Sequence, residues 1–390
     1  MSQPTLLSMG TRPEIIKMAP LYRALRDAGH DVRLLHTGQH DSMAWPLYRF
    51  FGMKPDLALE LDRQGTSLSH LSAALLTQTQ KALERLRPRA VLVHGDTSSA
   101  AMVSVAAFYN HIPVGHVEAG LRSHDRYDPF PEEMNRGLIG RFAQWHFAPT
   151  PGAVVNLLRE NVQADSVHLV GNTIVDATHW VTGHLDSLPG RGSSVLPADL
   201  VGVPQAMEGR RMVLVTAHRR ENWGAGIERI CSAIRDMLTH HAEALVVWPV
   251  HVNPTVHDAV HRAMADLPGD AKARLFLCDP LDYPALMFLL RHAWLILTDS
   301  GGIQEEAVSQ RVPVLVLRDT TERPELLSVK AGLLVGTQPA QVLQAFERLW
   351  RDTAAHAAMQ AASNPFGDGH AAQRICDVLQ AEFGCELRAA

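Results

Sequence analysis

The fold is decided by residues 90–120, which read AVLVHGDTSSAAMVSVAAFYNHIPVGHVEAG. Two short apolar runs, 90–94 and 113–117, are each followed by polar residues. They enclose a stretch that is long enough for a helix beginning after DTSS. Buried strands of a parallel sheet are apolar throughout, and a helix usually connects two of them. This stretch therefore predicts one strand, helix, strand unit of a parallel sheet.

The same alternation continues in both directions along the chain. Short runs rich in Val, Leu and Ile occur six times up to residue 172 and six times after it, from TLLSMG near the start to LLVG at 333–336. Between them, helical periodicity predicts helices that include residues 14–28, 67–86, 225–240 and 282–292. The sequence therefore predicts two doubly wound α/β halves.

Residues 185–210 interrupt the alternation with Pro, Gly and Ser, which predicts a break between the two halves. In doubly wound sheets ligands bind beyond the carboxyl ends of the strands. With two halves that face each other, the cleft between them is the expected binding site. Polar residues at strand ends are therefore the functional candidates.

Composition excludes several classes of protein. The 390 residues suit two or three domains, and the net charge is −5 with no basic run, so neither nucleic acid nor an anionic membrane is an expected partner. Cys231, Cys278, Cys376 and Cys385 lack C-x-x-C spacing, which fits reduced thiols rather than disulfides or a zinc site. The apolar residues 285–297 are too few to span a bilayer, and the N-terminus lacks a signal-peptide pattern. We expect a soluble, cytoplasmic protein.

Two strand-end turns carry residues suited to phosphate. GTRPE at residues 10–14 places Arg12 at the start of a helix, with Lys17 further along it. DSGGIQEEA at residues 299–307 offers Ser300, two glycines that let a ligand approach, and the N–H groups of a following helix. Glu306 in that helix could accept hydrogen bonds from ribose hydroxyls. Well-capped helices with solvated basic residues would explain both turns without a ligand. For the DSGG turn, a role in binding is favoured over a purely structural one by three further polar residues after the next strand: Asp319, Glu322 and Arg323.

Carboxylates follow three further strand ends: Asp96, Glu118, and Glu132 with its neighbour Glu133. Acidic side chains that converge on one cleft raise the pKa of at least one of them through burial and repulsion. Such a cluster suits removal of a proton from carbon and its return on the other side. Two alternatives stay open, because Asp96 could instead cap the next helix and Glu132 could pair with Arg136.

His218 ends the run MVLVTAH and precedes two arginines, which suits contact with an anion or a leaving group. A capping role held by the backbone is the alternative, and His251 belongs to the same class. His257 and His261, four residues apart, lack a third ligand, so we predict no metal site. No dinucleotide-binding or P-loop glycine motif is present. The expected ligand is a phosphorylated compound, bound without a cofactor.

The motifs occur in the order GTRPE, TGQH, VLVHGDT, GHVEAGLRS, PEEMNR, VGNTIVDA, TAHRREN, DSGGIQEEA, RDTTERPE and NPFGDG. From near residue 5 to near residue 375, this set closely resembles the non-hydrolysing UDP-N-acetylglucosamine 2-epimerases. The resemblance implies a fold of the GT-B type, with two Rossmann-like doubly wound domains facing across a cleft. It places the N-terminal domain at 1–172 and the nucleotide-binding domain at 173–364, with a C-terminal helix in 365–390 packing back on the first.

The resemblance also implies the reaction and its residues. UDP-GlcNAc and UDP-ManNAc would be interconverted through elimination and re-addition of UDP, with a 2-acetamidoglucal between. The implied catalytic residues are Asp96, Glu118, Glu132 and His218. The implied nucleotide-binding residues are Arg12, Lys17, Ser300, Gly301, Gly302, Glu306 and Arg323. A cytoplasmic homodimer that needs neither cofactor nor metal and supplies polysaccharide biosynthesis is the implied setting.

Two segments depart from the family pattern. After Gln39-His40 the chain reads Asp41-Ser42-Met43-Ala44-Trp45-Pro46, where members have a basic residue and a run close to R-E-M-L-D-Q. Thr66 stands where Gln is usual. Many bacterial members bind a second UDP-GlcNAc as an activator near these segments, so we expect this chain not to depend on one.

Three other activities fit the same resemblance. A hydrolysing 2-epimerase would release ManNAc and UDP, and a glycosyltransferase of the same fold would need an acceptor. A catalytically silent UDP-sugar sensor is the third. The presence of Asp96, Glu118, Glu132 and His218 together argues against the sensor.

Overall fold

A computed structural model of the protein describes residues 3–38, 41–61 and 67–383, with the side chains of all but 41–43. The described residues form two units. The first contains those up to Ala177 and those from Phe366 onward, and the second extends from Thr178 to Pro365. The chain thus passes between units twice, close to the sequence-based limits at 172/173 and 364/365.

The first unit is built on a parallel sheet of seven strands in the order β3-β2-β1-β4-β5-β6-β7. These strands, β1 to β7, are Thr5–Met9, Val32–His36, Leu57–Ala58, Ala90–His94, Val114–Val117, Ala143–Ala148 and Val167–Leu169. The six predicted strands are confirmed. β3 was not predicted, because two residues carry no periodic signal.

The second unit holds a parallel sheet of six strands in the order β10-β9-β8-β11-β12-β13. These strands, β8 to β13, are Arg211–Thr216, Ala244–Pro249, Leu275–Cys278, Leu295–Thr298, Val314–Val316 and Gly332–Leu334. In each sheet the strand order reverses once, between β1 and β4 and between β8 and β11. Such reversal points are where doubly wound sheets bind ligands.

The helices alternate with the strands. Those before β8, α1 to α8, are Arg12–Asp27, Asp41–Phe50, Leu68–Leu86, Ser98–Tyr109, Glu132–Phe142, Pro151–Arg159, Thr173–Ser187 and Val203–Ala206. Those after it, α9 to α17, are Ala225–His240, Pro254–Met264, Gly269–Lys272, Tyr283–His292, Gly301–Ser309, Pro324–Ser328, Pro339–Arg351, Thr353–Gln360 and Ala371–Phe383. The four predicted helices are confirmed as α1, α3, α9 and α12.

Side-chain caps fix where several helices begin. Ser67, Thr97 and Asp282 each accept a hydrogen bond from a backbone N–H in the first turn of the helix that follows. This satisfies one of the N–H groups that a helix start leaves unpaired. The cap of α4 is therefore Thr97, and the alternative that Asp96 caps this helix is wrong.

Each sheet has its own apolar core. In the first unit, Leu6, Leu35, Val91 and Val93 from the strands pack with residues of α3 and α4. In the second, Val213, Val215, Trp248 and Leu297 are completely buried in a cluster that includes the apolar face of α9. Burial of such side chains contributes about 25 cal/mol per Å² of apolar surface, which stabilises each unit around its own sheet.

The Pro- and Gly-rich residues 185–210 lie inside the second unit, so the predicted break at this segment is wrong. They contain the 3-10 turns Pro189–Val195 and Ala198–Leu200 and precede β8. Arg291 of α12 donates hydrogen bonds to Asp186 and to the carbonyl of Arg191. Pro and Gly thus mark a folded loop of this unit.

The C-terminal helix α17 packs within the first unit, where the Sγ of Cys376 lies 3.7 Å from the carbonyl oxygen of Ala24 in α1. Its N-terminus is held by the buried Asp176, whose two carboxylate oxygens accept the backbone N–H groups of Ala371 at 3.2 Å and Ala372 at 2.9 Å. A carboxylate at a helix N-terminus also interacts favourably with the helix dipole.

Cys231, Cys278 and Cys376 are buried free thiols. Cys385 lies outside the described residues. Over the described ranges, no helix has both the length and the apolar composition needed to cross a membrane.

We predict that Asp176→Asn lowers the free energy of unfolding by about 1 to 3 kcal/mol, because an amide cannot accept both N–H groups of α17 and has no charge for the helix dipole. Urea unfolding is the measurement. Asp377→Asn is the matched control, since Asp377 is exposed on α17 and accepts a single bond from Gln373. Equal midpoints for the two variants would contradict the prediction.

Candidate functional site

In the first unit, Glu14 forms hydrogen bonds with the turn after β1 and with the turn after β4, where the strand order reverses. Its Oε2 accepts the N–H groups of Gly10 and Thr11, each at 2.8 Å, in the turn after β1. Its Oε1 accepts the hydroxyl of Thr97 at 2.6 Å in the turn after β4. Gly10 is required here, because a Cβ at this position would lie 1.8 Å from the Oγ1 of Thr37. The start of α1, where Arg12 is the first residue and is partly exposed, is thereby fixed relative to α4.

Glu118, which directly follows β5, is held by two side chains from other elements. The buried Lys17 of α1 forms an ion pair with its Oε2, and the Nδ2 of Asn172 donates to the same oxygen at 2.9 Å. The Nε2 of the buried His94 lies 3.7 Å from that oxygen. Glu118 has φ +65°, an uncommon conformation for a non-glycine residue. The carboxylate is therefore positioned by a cation and an amide.

Asp96, after the neighbouring strand β4, is held by α5. The Nε of Arg136 donates to its Oδ2 at 2.8 Å, and the Nδ2 of Asn135 donates to its backbone carbonyl at 2.8 Å. Arg136 also binds the buried Glu133 at 2.9 Å. Arg136 thus connects the candidate catalytic carboxylate to the helix that begins at Glu132.

Glu132 and Glu133 differ in what they do. Glu132 is partly exposed at the first position of α5. Glu133 accepts the backbone N–H groups of Ser123 at 2.9 Å and His124 at 3.0 Å, which fixes the loop after β5. Burial alone would raise the pKa of Glu133, but these N–H groups and Arg136 together hold it below its ordinary value. Glu133 is thus a charged anchor of the loop.

His116 is a structural residue. Its Nε2 lies 2.7 Å from the carbonyl of Gly95, and burial lowers its pKa to about 3. The ring is therefore neutral at physiological pH. Within the described residues, no group of three or more His, Cys, Asp or Glu side chains is placed to hold a metal ion.

In the second unit, the candidate residues lie at the other reversal point, after β8 and β11. The carboxylate of Asp299, fully buried, accepts the backbone N–H groups of His218 and Arg219, each at 2.8 Å, and the Nδ2 of Asn222 at 3.1 Å. The Nδ1 of His218 lies 3.4 Å from the other carboxylate oxygen. His218 therefore sits in a turn whose shape is set by Asp299.

The half-exposed ring of His218 lies over that of His251, with centroids 6.0 Å apart and planes 13° from parallel. Partial burial lowers the pKa of His218, and Asp299 opposes that effect, while His251 and Arg219 add to it. His251 is thus brought beside His218, as the sequence grouped them. The rings of His257 and His261 lie 4.2 Å apart on α10. Among the described residues, they belong to no group of side chains that could hold a metal ion.

The residues of the DSGG turn form the start of α13. Ser300 is its N-cap residue, and Gly301 and Gly302 form its first turn, where backbone N–H groups point out of the helix. Glu306 is buried further along the same helix. A helix N-terminus with small residues is a favourable place for a phosphate group.

Arginines and glutamates surround this turn. Arg323 pairs with the buried Glu305 of α13, and Glu322 lies near Arg219 at 3.3 Å and Arg318 at 3.6 Å. Burial would raise the pKa of Glu322, but Arg219, Arg323 and Arg318 hold it below its ordinary value. The cations near the DSGG turn are therefore already engaged with carboxylates.

Sequence reasoning did not find the positioning contacts of three residues: Asp299, Asn172 and Arg136, the last of which it named only as a possible partner of Glu132. Each makes its contact through a partner that is distant in sequence, for example 81 residues between His218 and Asp299. A usable signal was present for Asp299, because it ends an apolar strand, as Asp96 does.

The segment that departs from the family pattern lies partly outside the described residues, which exclude Gln39, His40 and Thr66 and the side chains of 41–43. Ala44, Trp45 and Pro46 belong to α2. Ala44 is buried, and the ring of Trp45 lies 5.2 Å from that of His36 and 5.8 Å from that of Tyr48. Trp45 therefore packs against an aromatic group of its own unit.

Comparison with known proteins agrees with this arrangement. The family profile described as UDP-N-acetylglucosamine 2-epimerase matches residues 23–380. A UDP-N-acetylglucosamine 2-epimerase of Yersinia pestis is 45% identical over 377 residues, which cover 96% of this chain and 98% of that protein. The enzyme of that name from Escherichia coli K12 is 44% identical over the same coverage.

Solved structures give the same result. The UDP-GlcNAc 2-epimerase of Neisseria meningitidis bound to UDP-GlcNAc has a TM-score of 0.87 at 36% identity, covering 96% of this chain and 99% of that one. The Methanocaldococcus jannaschii UDP-GlcNAc 2-epimerase in complex with UDP-GlcNAc and UDP has a TM-score of 0.78 at 30% identity, covering 98% and 100%. The two parallel-sheet α/β units are those of the GT-B-like fold of these enzymes. On sequence and structure alike, the chain belongs to the UDP-N-acetylglucosamine 2-epimerase family.

Proposed function

We propose that the protein is a non-hydrolysing UDP-N-acetylglucosamine 2-epimerase, which interconverts UDP-GlcNAc and UDP-ManNAc by eliminating UDP and adding it back to a 2-acetamidoglucal. The observation that carries this proposal is the pair of carboxylates at adjacent strand ends, each with its own cation: Asp96 with Arg136 and Glu118 with Lys17. Epimerisation at carbon needs one group that removes a proton and another that returns one to the opposite face.

The chemistry of the sugar sets the order of the steps. A C2 proton is poorly acidic, so the bond between C1 and the oxygen of UDP breaks first, and the C2 proton then goes to a carboxylate. Asp96, Glu118 and Glu132 are the groups we assign to removing and returning this proton. Their positions after β4 and β5 and at the start of α5 support this assignment, because strands in a parallel sheet bring their carboxyl ends to one edge.

The leaving UDP is assigned to the second unit. Ser300, Gly301 and Gly302 at the start of α13 offer N–H groups and the positive end of a helix dipole, which stabilise a developing diphosphate charge. His218 and Arg323 add donors, and Glu306 is assigned to the ribose. Arg12 and Lys17 are the nucleotide contacts assigned to the first unit. No cofactor enters this mechanism.

We also propose that the protein is a homodimer, as the resemblance implies. Four large apolar side chains on α4 and α5 remain exposed: Phe108, Tyr109, Met134 and Leu138. α4 and α5 pack against each other, and exposed apolar side chains grouped on neighbouring helices are typical of a protein interface.

Incubation with UDP-GlcNAc alone in D2O tests the reaction. We expect UDP-ManNAc that carries deuterium at C2, because a carboxylate that holds the proton can exchange it with solvent between transfers. Mass spectrometry and NMR of the product are the measurements. Free ManNAc would indicate a hydrolysing enzyme, and no reaction would indicate a transferase or a sensor. Undiminished protium at C2 throughout the approach to equilibrium would contradict a solvent-exchanging base.

Carboxamide substitutions separate chemistry from binding. Asp96→Asn, Glu118→Gln and Glu132→Gln should each lower turnover by a factor on the order of 100 or more while UDP affinity is retained, since each removes a proton acceptor at nearly constant shape. Steady-state kinetics and calorimetric titration with UDP are the measurements.

The matched control is Glu160→Gln. Glu160 accepts two hydrogen bonds from Arg122 in the same unit, and this substitution is expected to leave turnover unchanged. Ser300→Ala and Arg323→Ala should weaken UDP binding by about fivefold or more, as expected when a hydrogen bond worth about 1 kcal/mol is lost. Three carboxamide variants that turn over like the parent would overturn the catalytic assignment.

The departure at residues 41–46 and 66 leads to a prediction about activation. An activator held by Gln and Arg side chains needs several hydrogen bonds, each worth about 1 kcal/mol net. Here Ser42, Ala44, Trp45 and Pro46 stand in place of the family's usual polar run, and Thr66 stands in place of its usual Gln. Starting from pure UDP-ManNAc, we therefore expect product to form without a lag. A trace of UDP-GlcNAc should not accelerate it. A lag that this trace abolishes would show that other residues bind an activator.

A further inference from the structure

Asp299 lies next to His218 and contacts both its backbone N–H group and its imidazole ring. It follows β11, which pairs with β8 in a register that places Thr298 opposite Thr216. His218 comes two residues after Thr216 and Asp299 comes directly after Thr298, so Asp299 and His218 lie close together where the two strands end. The carboxylate of Asp299 is fully buried.

One oxygen of Asp299 is saturated. Its Oδ2 accepts three hydrogen bonds, from the N–H groups of His218 and Arg219 and from Asn222. A buried carboxylate is costly unless donors surround it. These three bonds therefore both compensate the burial and fix the backbone on which His218 stands.

The other oxygen of Asp299 lies beside the imidazole of His218. The Oδ1 of Asp299 is buried without a hydrogen-bond partner at ordinary distance among the described residues, and the Nδ1 of His218 lies 3.4 Å from it. When one ring nitrogen of a histidine donates to a carboxylate, the second nitrogen is left for a ligand, and the carboxylate stabilises the protonated ring. The side chain of His218 is half exposed, so a ligand can approach the ring.

The charged and titratable groups that face His218 come from three segments. Asp299 follows β11, His251 follows β9, and Arg219 is the next residue in the chain. Asp299 is the group among them that favours a protonated imidazole, while His251 and Arg219 oppose it.

We propose that Asp299 is a positioning residue that accepts the Nδ1–H of His218 and stabilises its protonated ring, so that the Nε2–H of that ring donates to the departing diphosphate. This inference rests on the proposed function, in which His218 contacts the leaving UDP. Asp299 itself does not touch the substrate in this role. Its influence on turnover passes through the histidine alone.

The substitution Asp299→Asn should change the tautomer of His218 with little change in the shape of the side chain at position 299. Three donors require an oxygen at the Oδ2 position, so the amide NH2 group must take the place of Oδ1 and face the Nδ1 of His218. Nδ1 must then accept, which moves the proton of the neutral ring to Nε2 and removes the charge that supports the protonated ring. We expect kcat to fall by a factor on the order of 100, with UDP affinity changed by less than about threefold. The alkaline limb of the pH profile should move to lower pH.

A double substitution distinguishes coupling from general damage. In the His218→Asn background, adding Asp299→Asn should lower kcat no further, because the two residues act as one unit. A multiplicative loss would overturn the inference. Asp176→Asn is the matched control, since it also alters a buried carboxylate that accepts two backbone N–H groups, and it should leave the pH profile unchanged.

NMR of the histidine ring nitrogens gives a readout that does not depend on activity. In the parent protein, neutral His218 should be protonated at Nδ1, and finding the proton at Nε2 would overturn the inference even if Asp299→Asn fails to fold. A fully active His218→Asn variant would remove the histidine from the proposed mechanism. The Nδ1–H form in the parent would still support the Asp299 contact in that case, so the two failures are distinguishable.

Discussion

A buried carboxylate that accepts backbone N–H groups lies at the point where each sheet reverses its strand order: Glu14 in the first unit and Asp299 in the second. Turns at these points leave N–H groups that need acceptors, and a buried carboxylate needs donors. Each requirement is met by the other. Because the turns that begin α1 and follow β8 are fixed in this way, Arg12 and His218 have defined positions before any ligand binds.

The candidate catalytic carboxylates follow a second constraint, which is that a buried charge needs a partner. Glu118 is paired with Lys17 and Asp96 with Arg136, and each cation comes from a helix that begins near the same edge of the sheet. Removing one partner of the buried Lys17–Glu118 pair leaves the other uncompensated at a cost of about 3 to 5 kcal/mol. A carboxamide removes the negative charge but keeps the shape of the site and an oxygen that can accept from the cation, whereas truncation to alanine would remove both. The pairs also explain why α5 begins so close to the carboxylates, since Arg136 has to reach Asp96.

Most of the fold could be predicted from the sequence because buried parallel strands are continuous apolar runs, and twelve of the thirteen strands in the described part of the chain carried that signal. β3 did not, since Leu57 and Ala58 are too few. Residues 185–210 were misread as a boundary because Pro and Gly mark irregular backbone without indicating which unit it belongs to. Motifs identified the candidate site, but the partners that hold it depend on strand order. Nothing in the sequence says that β8 lies beside β11, so the contact between His218 and Asp299 needed the structure.

The chain has a net charge of −5, yet its proposed ligand is an anion, so the attraction has to be local. It cannot come from a surplus of cations near the DSGG turn, because the arginines there already have carboxylate partners. The groups concerned are Arg219, Arg318 and Arg323 with Glu221, Glu305 and Glu322. Backbone N–H groups at the start of α13 need no such partner, and their dipoles are fixed in advance. A guanidinium has five donors, so Arg323 can keep Glu305 through Nε while another N–H donates to a phosphate oxygen. A Cβ at Gly301 would lie 3.6 Å from the Nη2 of Arg323, an ordinary van der Waals distance, so the guanidinium lies directly against the first turn of α13.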